Sequence, residues 1–403
     1  MNTLLTVTDI TRKALMVLHQ KLTFIGNINR QYDASYAKDG AKIGDTLRIR
    51  LPNEYVVRTG KTLNVQATTE KKVDLTVATQ KGVDMDFSSA EMTMDMDDFS
   101  DRVIEPAMAV LAADIEADAL TMYKQVYQEV NDVGAAITFL DLLNGRKKLA
   151  DSLTPTSNRC LLLNTQDTND IINGLTSLQN PSQEISKQYR EGMVAERIAG
   201  FGKVYESTLL PIHTTGTEAG VDTGYNVTAV SSDGLTLTVD TGTGTFAVGD
   251  IIQIADVNRV HPETKADTGI PQQFVVTTAV AATGTSIAIS PALITSGARQ
   301  TVSAAPAANA AVEKVESDDS TAVAGSADYG ISLGFHRDAF AFASADLEMP
   351  DGVDFARREV YDGLSMRIIR AYDINNDQFP CRLDVLYGYK AIRPQLATRF
   401  GFN

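Results

Sequence analysis

Apolar residues recur at Ile104, Met108, Leu111, Ile115, Ala119, Met122, Val126 and Val130, in steps of three and four. That spacing predicts one α-helix over residues 97–131, with these side chains on a single stripe and Asp114, Glu116, Asp118 and Lys124 mostly off it. Ser100 is the expected N-cap, and the acidic residues before it suit the positive end of the helix dipole. Pro106 marks the expected start of the straight part. From there to Asn131 a helix runs roughly 38 Å at 1.5 Å per residue, so it needs a sheet or other helices along its length. On its own this stretch reads as the core helix of a large α/β protein.

The flanking patterns differ. Residues 8–24 read as an amphipathic helix with Ile10, Ala14, Val17, Leu18 and Leu22 on one face, ended by Gly26. Residues 40–82 alternate like strands: Leu47, Ile49 and Leu51 interleave with Thr46, Arg48 and Arg50, giving one apolar and one cationic face. The stretch predicts a long polar hairpin with too little apolar surface for a core of its own, stable only when it lies on something else. The alternating Met and Asp of 83–101 predict an edge strand leading into the helix. Further on, 139–153 predicts a shorter helix closed by Pro155, 159–164 a buried strand, 167–175 a capped helix, and 193–211 a turn followed by a strand ending at Pro211. Strand–helix alternation of this kind belongs to a mixed α/β domain.

From about Thr214, helix signals vanish and Thr, Gly, Val and Ala dominate. Strands are expected at 225–230, 235–239, 250–257, 272–279 and 286–290, with a long loop over HPETKADTGIP, which describes a small β-barrel or sandwich inserted in another domain. Residues 304–327 read as a loop with a weak helix. The segment from Ile331 gives a strand and a short helix, and 354–394 reads as antiparallel strands with turns at Gly363 and Pro380.

Composition narrows the chemistry. With 403 residues, 43% hydrophobic and 22% charged, the chain is long enough for two or three folded domains. No apolar run reaches the length of a membrane span and no signal-peptide pattern opens the chain, so a soluble protein made in the cytoplasm is expected. Cys160 and Cys381 lie far apart without metal-type spacing and are expected as buried, reduced thiols. His19, His213, His261 and His336 form no HxH, HxxxH or HExxH pair. His336, followed by Arg337 and Asp338, reads as an ordinary helix-start histidine. TGKT at 59–62 lacks the first glycine of a phosphate loop, and no register of the acidic cluster at 84–101 completes an EF-hand. No catalytic residue, metal ligand or cofactor site is expected.

The net charge of −15 is unevenly spread. Residues 1–50 carry eight Lys/Arg against four Asp, a balance of +4, and residues 215–330 carry four basic against thirteen acidic residues, a balance of −9. Tight nucleic-acid binding needs a Lys/Arg stripe that this surface lacks, whereas solubility at high local concentration suits it.

The order of parts then becomes specific. DDFSD (97–101) opens the helix, AGFGKVYESTLLP (199–211) precedes the β-rich stretch, and VGD (248–250) lies inside it. CRLDVLYGYKAIRP (381–394) contributes Cys381, Arg382, Tyr387, Gly388, Arg393 and Pro394. With these stretches the chain resembles the major capsid proteins of tailed bacteriophages, and among them the podoviral coat proteins with an inserted β-domain. The resemblance implies an α+β, Hong-Kong-97-type fold with a long spine helix, an extended β-hairpin loop, and peripheral and axial domains. It also implies an inserted all-β immunoglobulin-like or barrel domain.

The implied division is an arm at 1–36, the extended loop at 37–82, a peripheral domain from 83–135 and 350–403, an axial domain from 136–213 and 327–349, and an insert at 214–326. The implied function is self-assembly into an icosahedral head around double-stranded DNA. The partners would be further copies in hexamers and pentamers, a scaffolding protein and a portal, with DNA held inside without sequence-specific binding and no membrane. Candidate intersubunit contacts are Arg12 and Lys13 in the arm and Arg48, Arg50, Glu54 and Arg58 in the hairpin. The competing readings are a non-viral compartment shell of the same fold, and a ligand- or carbohydrate-binding enzyme using Asp233, Asp240, Asp250 or Asp256. Aspartates beside glycine, as in Asp233-Gly234 and Gly249-Asp250, are more often turn formers.

Overall fold

The computed structural model describes residues 22–30, 46–58, 60–63, 65, 70–86, 105–175, 197–218, 224–240, 242–315, 325–350, 352–353, 355–361, 364–376 and 378–403. In chain order the helices are α1 (Thr23–Asn27), α2 (Glu105–Leu120), α3 (Phe139–Asp151) and α4 (Thr165–Leu175). The first strands are β1 (Thr46–Leu51), β2 (Lys71–Thr76), β3 (Thr79–Met85), β4 (Glu129–Asn131), β5 (Arg159–Leu163), β6 (Lys203–Glu206) and β7 (Ile212–Thr214). The β-rich stretch holds β8 (Asn226–Val230), β9 (Thr236–Val239), β10 (Ile251–Ile254), β11 (Asn258–Val260), β12 (Asp267–Pro271), β13 (Phe274–Val276), β14 (Ser286–Ser290) and β15 (Ala310–Lys314). The chain closes with β16 (Asp328–His336), β17 (Phe340–Ala345), β18 (Phe355–Tyr361), β19 (Leu364–Arg370), β20 (Cys381–Ala391) and β21 (Ala397–Phe402).

The helix expected over 97–131 is shorter. It ends at Leu120, passes through a 3-10 turn at Thr121–Gln125, and gives way to strand β4. Its 16 residues span about 24 Å. The stripe holds: Met108, Leu111, Ile115, Ala119, Met122, Val126 and Val130 are all buried. Beyond Leu120, pairing of β4 with β21 outweighs the helical spacing. Glu116, expected off the stripe, is buried at 2% exposure. Two further expectations fail for the same kind of reason. Residues 310–314, read as loop or weak helix, form a strand, and part of the expected long loop forms the β11–β12 pair. The short helix expected after Ile331 is a 3-10 turn at Arg337–Ala339. Strand β21 was not anticipated. The helix expected at 8–24 and the acidic stretch 84–101 lie almost wholly outside the described residues, as do the expected N-cap Ser100 and the expected turn at Gly363.

The chain divides into two compact units. In the first, formed by 1–51, 72–120 and 340–392, strands run in the order β17-β20-β19-β18, with β3 on the other edge of β20. Alternation along β17 sorts its side chains onto two faces. Phe340 meets Phe24 of α1 edge-on at 5.5 Å, and Phe342 stacks on Tyr387 at 5.6 Å. The Tyr387 hydroxyl donates to Asp118 of α2 at 2.6 Å. Ala341, Ala343 and Ala345, small enough for close approach, face Ile49, Leu75 and Val77 from the β1–β2 arm. The sheet is therefore covered by α1 and α2 on one side and by the root of the arm on the other. Asp384, fully buried, is held by Arg367 directly opposite in register at 2.7 Å and by Arg382 at 2.8 Å.

The second unit, formed by 52–71, 121–339 and 393–403, holds a sheet in the order β4-β21-β16-β5-β6, with β7 on the end of β16. Leu142 and Leu149 of α3 and Ile171 of α4 pack on Leu161, Leu163, Phe400 and Phe402. Helix α3 begins with a capping box in which Thr138 and Asp141 exchange backbone contacts. Between β7 and β16 the chain closes a six-stranded barrel in the order β10-β13-β14-β9-β8-β15. Alternate residues point inward, among them Leu237, Val239, Ile252, Ile254, Ile287 and Ile289, so the barrel carries its own core.

Close packing makes Gly388 a sharp test. A Cβ there would lie 2.2 Å from the Thr76 carbonyl oxygen, whereas one at Gly174 of α4 would meet nothing within 4 Å. We expect Gly388→Ala to lower stability by about 1–3 kcal/mol in urea titrations, with Gly174→Ala neutral or slightly stabilising.

Candidate functional site: a polar arm and a buried ionic junction

The arm is rooted and then released. In β1, Ile49 is buried while Thr46, Arg48 and Arg50 are exposed, which is the expected two-faced strand. Every described residue from 52 to 70 is exposed, including Tyr55, Val57, Leu63 and Val65 at 60%, 90%, 75% and 80%. Arg48 lies 3.9 Å from Asp74 on β2, a solvent-exposed pair worth less than about 1 kcal/mol. Arg58 donates to the carbonyls of Gly60 and Thr62, which folds it along its own loop. Glu54 opposes the burial that lowers the pKa of Lys265. Arg12 and Lys13 lie outside the described residues. The hairpin candidates are thus on an accessible surface, and the arm's apolar side chains are displayed with them.

The second unit contains a junction that sequence reasoning missed. Glu129 of β4 and Arg399 of β21, each wholly buried, pair at 3.0 Å. Arg399 also donates to the Gly249 carbonyl, which lies in the barrel, at 2.5 Å. Tyr329 donates to the other Glu129 oxygen at 3.0 Å. Burial alone disfavours the Arg399 charge, but Glu129, Tyr329 and Tyr123 outweigh it and raise the pKa. Beside this pair, His213 bridges Tyr123 at Nδ1 and Asp250 at Nε2, both at 3.0 Å. The second Asp250 oxygen accepts the backbone amides of Gly216 at 3.0 Å and Ala247 at 2.7 Å. Gln273 exchanges two bonds with the Glu129 backbone, and Asn131 donates to the Val315 carbonyl at 2.8 Å.

The two connections to the barrel are tied as well. The Thr215 amide donates to the Ala327 carbonyl and the Ala327 amide to the Thr215 hydroxyl, and Lys314 donates to Gly216 at 2.8 Å and to Gly325 at 3.2 Å. The barrel is fastened to its sheet by buried charge and hydrogen bonds. A signal existed in the sequence: Arg399 interrupts the apolar run ATRFGF, and Glu129 the run VYQEV. A charge inside a strand-like apolar run implies a buried partner.

Three of the four aspartates considered for catalysis have structural contacts of their own. Asp233 accepts from the Leu235 amide and the Ser231 hydroxyl in a turn, Asp250 belongs to the junction, and Asp256 sits in a left-handed turn at φ 60°. His336 accepts the Asp338 amide, and His261 accepts those of Glu263 and Thr264. Cys160 and Cys381 are free thiols, the first buried and the second half-buried. Among the described residues no group of three His, Cys, Asp or Glu is placed to hold a metal, and no helix is long and apolar enough to cross a membrane. Asp167 is fully buried, and burial raises its pKa to about 6 although the Ser332 hydroxyl donates to it.

Two outcomes follow from these buried charges. Arg399→Met leaves Glu129 buried and unpaired, so we expect a loss of about 3–5 kcal/mol in urea unfolding, largely recovered in Arg399→Met/Glu129→Gln. For Asp167 the folded pKa lies above the unfolded one, so wild-type stability rises as pH falls from about 6 toward 3.8. Asp167→Asn is expected to melt higher than wild type at pH 8, by on the order of 2–3 kcal/mol, with the gap closing in acid.

Comparison with known proteins bears on the whole chain. The family model described as P22 coat protein - gene protein 5 matches residues 7–401. Among solved structures, the chain is similar to Mycobacterium phage Che8 at 13% identity, over 94% of this chain and 90% of that one, with a TM-score of 0.47. It is similar to the asymmetric unit of the bacteriophage PhiM1 mature capsid at 11% identity, over 89% and 82%, with a TM-score of 0.43. A virus-like particle from Pyrococcus furiosus aligns at 7% identity over 98% of both chains, with a TM-score of 0.37. No curated protein matches the chain. The family match, running from the N-terminal arm into the last strand, carries the assignment: the chain belongs to the P22 coat protein family and is a major capsid protein of a bacteriophage head.

Proposed function

We propose that this coat protein builds its shell in the Hong-Kong-97 manner, with the β1–β2 arm as the extended loop that lies across an adjacent copy. The observation that carries this reading is the arm itself: rooted through Ile49 and Leu75, and exposed at every described residue from 52 to 70. Exposed apolar side chains on a segment without a core gain stability only from a neighbour. Arg48, Arg50, Glu54 and Arg58 would meet that neighbour, as would Arg12 and Lys13 from the arm at 1–36. Residues 83–135 and 350–403 would serve as the peripheral domain with its spine helix. Residues 136–213 and 327–349 would serve as the axial domain at the centre of hexamers and pentamers, and the barrel, within 214–326, as the inserted domain. Heterologous contacts of this kind close into rings and then into a shell.

The remaining partners follow the same reading. A scaffolding protein and a portal would guide assembly in the host cytoplasm, and DNA would lie inside against a surface whose net negative charge discourages adhesion. The role is structural and non-enzymatic; the turn and junction roles of Asp233, Asp250 and Asp256 support that.

Reversing the arm's charge tests the contact. In Arg48→Glu/Arg50→Glu/Arg58→Glu we expect a folded monomer with wild-type circular dichroism and melting. Shell yield by light scattering and negative-stain imaging is expected to fall at least tenfold. Normal shells at the wild-type rate would show that the arm does not mediate assembly.

A further inference from the structure

Glu116 occupies an unusual position. It lies on α2 at 2% exposure, yet a carboxylate is among the side chains least often buried without an ionic partner. Its Oε1 accepts the backbone amide of Phe24 at 3.1 Å, across 92 residues of sequence. Leu22, which precedes the turn of α1, makes no side-chain cap, so the distant carboxyl does that work. The other oxygen, Oε2, is buried and has no hydrogen-bond partner among the described residues. The segment 22–30 buries its apolar side chains: Leu22, Phe24, Ile25 and Ile28 are each at most 4% exposed. Asn29 fastens the segment's far end by exchanging two backbone bonds with Phe340 and Phe342 of β17.

We propose that Glu116 is a proton-operated clasp that positions the root of the N-terminal arm: it holds residues 22–30 on the spine helix when protonated and loosens them when ionised. A neutral carboxyl keeps its carbonyl oxygen for the Phe24 amide and leaves only one weakly polar group unsatisfied. An ionised one leaves a charged oxygen facing apolar side chains, a far larger penalty. Water can reach that oxygen only if the segment lifts. Burial is accordingly the dominant influence on Glu116 and raises its pKa to about 7, against the opposing pull of the Phe24 and Thr23 amides.

Among the described residues, the charged side chains of the elements packed on α2 are engaged elsewhere. Helix α1 contains no ionisable side chain, and Arg30 follows it. On β3, Lys81 is engaged by Asp114 and Asp118 of α2 at 2.7 Å each, and Asp84 lies 3.7 Å from Arg382. Tyr387 is bound to Asp118. The pH response of this contact therefore belongs to Glu116. The clasp concerns only how the arm's root is held within one subunit, so it stands whether or not the arm reaches a neighbour.

The sign is fixed by linkage. Because the docked carboxyl titrates near 7 and a released one near 4.5, docking weakens as pH rises between those values and is level above. Hydrogen exchange of the full-length monomer, read by mass spectrometry on peptides covering 23–28 from pH 5 to 8, tests this as protection factors. Wild type is expected to lose protection by up to about tenfold per pH unit below 7. Glu116→Gln keeps the acceptor without the charge, so its protection should be independent of pH. Glu116→Ala should expose the segment at every pH. A wild-type profile without slope, or a Glu116→Gln profile with the wild-type slope, would overturn the proposal. So would full protection in Glu116→Ala. If Glu116→Ala does not fold, the wild-type and Glu116→Gln profiles decide alone.

Discussion

The pairing of Arg399 with Glu129 is the constraint on which the larger unit depends. A guanidinium without any exposure is tolerable only when a counter-charge and acceptors surround it. Here the counter-charge comes from Glu129 on β4, itself held by the Tyr329 hydroxyl of β16, and an acceptor from the mouth of the barrel at Gly249, separated from Arg399 by as many as 270 residues. The strand that carries Arg399 lies between β4 and β16 in the sheet. The sheet is therefore incomplete until the last few residues of the chain are in place, and the barrel is seated by the same event. Such long-range pairing is slow to form, since distant segments must be brought together before any contact rewards them.

The barrel and the arm solve the same difficulty in opposite ways. Both are strand-rich stretches that leave a compact unit. The barrel closes its sheet on a core of Leu237, Ile252, Phe274 and Ile287, so it has no free edges and needs only to be fastened. The arm has a core only at its root. Ile49, Leu75 and Val77 meet the alanines of β17, and every described residue from 52 to 70 is exposed. Gly388 belongs to this arrangement, because the chain leaving β2 passes too close to β20 for any side chain.

What the sequence made legible follows from which forces are local. The stripe on α2, the alternation in β1 and the buried run of β5 all appear where expected, because a single periodicity fixes each. The end of α2 was not legible. Met122, Val126 and Val130 keep helical spacing and are buried, but short apolar runs fit a strand equally well, and pairing with β21 decides the matter. The alanines near 310 favour a helix locally, and β15 forms because β8 and β10 each lack a neighbour without it. Charged residues were the hardest to place. Asp250, read as a turn former, does close the turn at Ala247, but its other oxygen binds His213, a contact that no spacing rule announces.

Two buried carboxyls, Glu116 and Asp167, show why perturbed acidity is not by itself a mark of catalysis in this protein. A catalytic acid is poised in a cleft beside the group it protonates. Glu116 instead receives a backbone amide from a segment that covers it, and Asp167 a hydroxyl from the strand on which its helix packs. Each lies where two elements meet, and in each the acidity reports how completely the elements exclude water. For a protein whose work is to be held in place by copies of itself, that coupling of proton affinity to packing is a mechanical property. It makes the tightness of an internal contact depend on pH without any surface residue having to titrate.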